Sequence, residues 1–113
     1  MSAPTSTSTP AKNLNILFYK RARLNYQIGD LERDCLEYNI KLRNLECEFD
    51  EQTINKQDTS RLIQQINAVA RLLEIDERDL RNKLVELADI CMQIDVAASE
   101  LFTEQLRLDN LDN

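Results

Sequence analysis

The chain has 113 residues, a net charge of −6, no histidine, one glycine and two prolines. An acidic excess of this size repels nucleic acid and anionic membranes. The lack of histidine removes the usual general base and the commonest zinc ligand, and a single glycine leaves no phosphate-cradling loop. With 5% aromatic and 30% charged residues the composition suits long helices better than sheets, and the length suffices for one small domain.

Residues 1–12, MSAPTSTSTPAK, are rich in Ser, Thr and Pro and poor in large apolar groups, so they read as a disordered tail. The start has neither the basic residues nor the apolar run of a signal peptide, and no stretch offers the ~20 apolar residues that cross a bilayer. A soluble, intracellular chain, cytoplasmic or nuclear, is expected. Within the tail, Thr9-Pro10-Ala11-Lys12 fits the Ser/Thr-Pro-x-Lys pattern of proline-directed kinases, which makes Thr9 a candidate phosphosite, although chance is the better explanation of so short a match in a Ser/Thr/Pro tail.

From Leu14 a seven-residue repeat runs through residue 108. With Leu17 taken as d, the d column contains Leu17, Leu24, Leu31, Leu45, Leu80, Leu87, Ile94 and Leu101, and the a column contains Ile28, Leu42 and Leu84. A strict seven-residue period keeps one stripe facing a partner when helices supercoil left-handedly, so these residues are predicted to form a coiled-coil seam. Arg21, Lys56 and Glu77 also fall at a positions. Charges there disfavour a parallel homodimer and favour an antiparallel or heteromeric pairing, so they are the expected partner-specifying positions.

Glu48 to Ser60 is a polar interruption without glycine or proline. The same frame describes the leucines before and after it, which a loop would preserve by accident about one time in seven. This favours one long helix, straight or bent, over residues 13–108, with an acidic, frayed end at 109–113. The cap-forming Asp58, Thr59 and Ser60 and the polar Gln52, Lys56 and Thr59 argue for the alternative, a two-helix hairpin broken near 52–60. Leu62, Ile66, Val69 and Leu73 form a second local seam, which meets the first only through a shift near Asp76. The fold class is therefore all-α, an elongated coiled coil. The ends are oppositely charged, +4 over residues 1–27 and −4 over 95–113, and should attract.

Catalytic chemistry is absent from this reading. Carboxylates such as Asp30, Glu32, Asp34 and Glu37 lie at helical spacings among bases and describe a solvated face. Cys35 and Cys91 fall on the seam and Cys47 outside it, with no CxxC spacing, so the thiols are expected to be reduced and structural. The aromatic and basic run Phe18–Arg23 is too short, and too soon followed by acids, for a DNA-binding basic region, and packing against a partner helix fits it better. No cofactor, metal, nucleic acid, membrane insertion or small-molecule substrate is expected. The function expected is that of a non-enzymatic coiled-coil subunit of a larger complex, a spacer, tether or adaptor whose partners are other coiled-coil proteins. By type it resembles small helical components of kinetochore, spindle and organelle-tethering complexes. The alternative is a self-contained hairpin or homodimeric adaptor for one client.

Overall fold

The computed structural model describes residues 9–111 and contains two helices, α1 over Pro10–Ile54 and α2 over Ser60–Leu111, with no strand among the described residues. The all-α architecture follows the sequence, and of the two arrangements the chain takes the hairpin. The continuous helix is ruled out by the break at residues 55–59. The part of the tail assignment covering residues 1–8, and the end assignment for 112–113, lie outside the described residues.

The break is built from backbone geometry that neither glycine nor proline announces. Lys56 adopts a left-handed conformation, φ 57°, just after the end of α1. Its N–H donates to the Thr53 carbonyl at 3.1 Å, and the Gln57 N–H reaches back to the Gln52 carbonyl at 2.8 Å. This pair of bonds is the Schellman arrangement, which satisfies carbonyls that a helix end would otherwise leave open. Two residues later Asp58 starts α2: its carboxylate accepts from the Ser60 N–H at 3.0 Å and the Ser60 hydroxyl at 2.7 Å, while the Thr59 carbonyl accepts the first helical bond from Ile63 at 3.0 Å. Lys56, expected on the seam, is therefore an exposed turn residue.

A side chain with a Cβ is strained in the left-handed region where glycine is not. Lys56→Gly is expected to stabilise the chain by about 0.5–1 kcal/mol, read as a rise in the urea midpoint. In an uninterrupted helix the same change would cost about 1 kcal/mol, so the sign alone separates the two folds. The hydrogen bonds from Ser60 hold the Asp58 carboxyl below its ordinary value of 3.8. A lowered folded-state pKa contributes stability above the unfolded value and loses it as pH falls through the folded one. The helicity advantage of the wild type over Asp58→Ala, followed by circular dichroism, should therefore shrink as pH drops below that range.

The chain packs as two compact units, Gln27–Leu84 and the residues up to Tyr26 together with those from Val85 onward. In Gln27–Leu84 the two arms flank the turn, with Glu48 and Gln52 of α1 lining a recess shared with Arg61, Leu62 and Gln65 of α2. Ile28, Cys35, Leu62, Val69 and Leu73 are buried there. In the other unit Leu14 and Leu17 form a cluster with Ile94 and Ala97, and Ile90 packs against it. That unit joins the basic start of α1 to the acidic end of α2, the pairing expected from the opposite charges of the two ends.

The helix ends extend beyond the limits read from composition. α1 includes Pro10–Lys12 because Thr9 caps it: the Thr9 hydroxyl accepts from the Lys12 N–H at 3.2 Å and its carbonyl from the Asn13 N–H at 2.9 Å. Proline suits the first helical position, whose N–H would lack an intrahelical partner in any case. α2 continues through residues 109–111, where Gln105 donates to Asp109 at 3.1 Å one turn away.

Candidate interaction surface

Along α1 the residues expected to face a partner helix are covered within the chain itself. Leu17, Leu24 and Ile28 are buried, and Leu31, Leu42 and Leu45 are half-buried. Along α2 the frame changes. The d residues Leu80 and Leu87 remain half-buried and Ile94 buried, but their companions are the g residues Leu62, Val69, Asp76, Lys83, Ile90 and Ala97. Apart from the half-buried Cys91, the a residues of α2 are displaced to the outside: Leu84 is 46% exposed, and Glu77 is exposed as well. Neither belongs to the intrachain seam. The five-residue turn resets the helical phase, and the d column hides the reset, because either a or g completes an alternation of three and four residues around it.

Four residues on this seam escaped the sequence reading: the apolar Ile90 and Ala97, and the charged Asp76 and Lys83. Stepping onward by three and four from Leu62, Ile66, Val69 and Leu73 lands on all four, so the signal was present. Asp76 and Lys83 are half-buried, a position in which a long or short charged side chain still reaches water at the seam's edge.

Arg21 is half-buried on the seam, and its guanidinium carbon lies 5.1 Å from the centroid of the Phe18 ring on the same helix. The charge is thus met locally by an aromatic face. Among the described residues no ion pair joins Arg21 to Asp95; the pairs Arg33–Asp30, Arg78–Glu74 and Arg107–Glu104 each lie within one turn of a single helix. Exposed pairs of that kind contribute little to stability and leave the outer surfaces solvated.

Burial pushes the Cys35 thiol up, and the Asp76, Glu77 and Asp34 carboxylates push it further. The thiolate is the reactive form, so Cys35 should be the slowest cysteine to alkylate. Cys47 is exposed and Cys91 half-buried. Brief iodoacetamide treatment of the folded chain, followed by peptide mass mapping, should label Cys47 first and Cys35 last. Among the described residues no group of three or more His, Cys, Asp or Glu side chains is placed to hold a metal ion, and no helix is long and apolar enough to cross a membrane.

What the surface offers is apolar area. Ile63, Leu72, Ile75, Leu84 and Val85 of α2 are exposed, as are Leu36 and Ile40 of α1, and no side chain among the described residues is completely buried. In the unit that holds the α1 start, Ile16 and Leu17 face Met92, Val96 and Ala97 across an open groove flanked by Lys20 and Glu100. Two helices close only one strip of each other's surface, and these faces extend beyond that strip. Comparison with protein-family models, curated proteins and solved structures finds no match.

Proposed function

We propose that this protein is a non-enzymatic coiled-coil subunit of a larger intracellular complex, a spacer, tether or adaptor that binds other helical proteins through its open apolar faces. The observation that carries the reading is that even the innermost seam residues retain some solvent exposure, 5% at Leu62, while Leu72, Ile75, Leu84, Met92 and Val96 stand outside the seam altogether. Apolar area left open in the isolated chain contributes about 25 cal/mol per Å² when a partner covers it. Exposed faces this extended mark interaction surfaces.

Light scattering on the purified chain, set against the native mass of the tagged protein in extract from its own cells, tests the proposal. A native mass well above that of the purified species is expected. Equal masses would remove the subunit reading and leave the second one, a self-contained hairpin serving as an adaptor for a single client. That second reading is favoured by the capped turn, since a chain that reverses at residues 55–59 covers part of its own stripe.

A further inference from the structure

We infer that the last turns of α2, Leu101 to Leu111, are the docking site for a basic amphipathic helix from another protein chain. The inference rests on the subunit reading above and assigns it a surface and a partner chemistry. Ile94 and Ala97 are 8% and 7% exposed where Leu14 and Leu17 cover them. α1 begins at Pro10, one turn before Leu14, and the two helices run in opposite directions, so its cover ends about one turn beyond Ala97. The same two columns nevertheless continue through Leu101, Glu104, Leu108 and Leu111, and the exposure of the three leucines climbs to 36%, 45% and 72%. The established interface thus continues on one helix after the other has stopped.

Charge selects the occupant. Residues 95–111 carry Asp95, Glu100, Glu104 and Asp109 against Arg107, so the same segment of a second copy laid on this one would set like charge against like, and the basic start of each copy's α1 is already packed on its own α2. Residues 1–8 of this chain have Met1 as their only large apolar side chain and no leucine stripe to offer. α1 itself shows what the acidic end of α2 accepts: between residues 10 and 26 it carries Lys12, Lys20, Arg21 and Arg23 and no acid, around Leu14, Leu17 and Leu24, spaced by three and by seven. A helix with leucine at a and d and lysine or arginine beside them matches the remaining turns in the same way.

The test uses the full 113-residue chain and two labelled three-heptad peptides with leucine at a and d, one bearing Lys and the other Glu at e and g, read by fluorescence anisotropy. The Lys peptide should bind saturably and the Glu peptide should not. A Leu101→Ala/Leu108→Ala variant, which keeps charge and helix propensity, should weaken binding by about tenfold or more with unchanged circular dichroism. Equal binding by that variant would overturn the site, as would failure of the Lys peptide to bind; in either case a large native mass in cell extract would leave the subunit reading standing. A wild-type dimer that the double variant dissociates would also overturn it, making a second copy the occupant.

Discussion

Mild oxidation of an Asp76→Cys variant, in a chain whose Cys47 and Cys91 are changed to alanine, is expected to join residue 76 to Cys35 within one molecule. Asp76 is half-buried on the α2 seam, and its carboxylate is the foremost charged neighbour of the buried Cys35 thiol. Closing a loop of roughly 40 residues removes chain entropy worth up to about 4 kcal/mol from the unfolded state, with strain at the bridge subtracting from that figure. The oxidised chain should therefore melt well above the reduced one, and non-reducing electrophoresis should show a fast-migrating monomer. In an uninterrupted helix the two positions would lie about 60 Å apart along the axis, and only crosslinked dimers could form. A product made solely of such dimers would sink the hairpin.

The second large effect is a contrast between two leucines that the seven-residue frame weighs differently from the structure. Leu62→Ala is expected to cost about 2 kcal/mol, near the low end for a buried leucine because a two-helix seam can relax into the space. In thermal melts that corresponds to a fall on the order of 10 °C. Leu84→Ala should change the melting point of the isolated chain little, within about 0.5 kcal/mol, since alanine is a strong helix former and this leucine is already half in water. If the subunit proposal is right, Leu84→Ala should instead lower the fraction of protein recovered in the larger complex. Equal destabilisation by both changes would restore Leu84 to the seam and undo the phase reset.

Much of the molecule was legible in the linear chain. Leu17, Leu24, Ile28, Leu31, Leu42 and Leu45, expected to face a partner helix, are buried or half-buried within this chain, because within a helix seven residues return a side chain to nearly the same azimuth, whatever the partner. The all-α class followed from the scarcity of glycine and proline after the first ten residues together with that period. The basic and acidic segments, expected from their charges to attract, lie in one unit, where the contacts that join them are the apolar ones of Leu14 and Leu17 with Ile94 and Ala97.

Other features depended on contacts that no periodicity carries. The turn at 55–59 rests on a lysine held in a left-handed conformation by bonds to Gln52 and Thr53, a geometry normally signalled by glycine. Once the chain reverses, the partner of α2 is α1, and the face of α2 that meets it is decided by how the turn sets the azimuth. The d column is common to both frames, so its spacing could not distinguish Leu62 and Val69 from Ile63 and Ala70. The sequence by itself determined helix with an apolar stripe on either side of residues 48–60, because helical period is a local property, but its unbroken frame favoured one continuous helix over the hairpin. The tertiary structure alone decided that α2 turns Asp76 and Lys83 inward and leaves Leu84 outside, because the phase between two helices is set by the geometry of their connection and by the packing it allows.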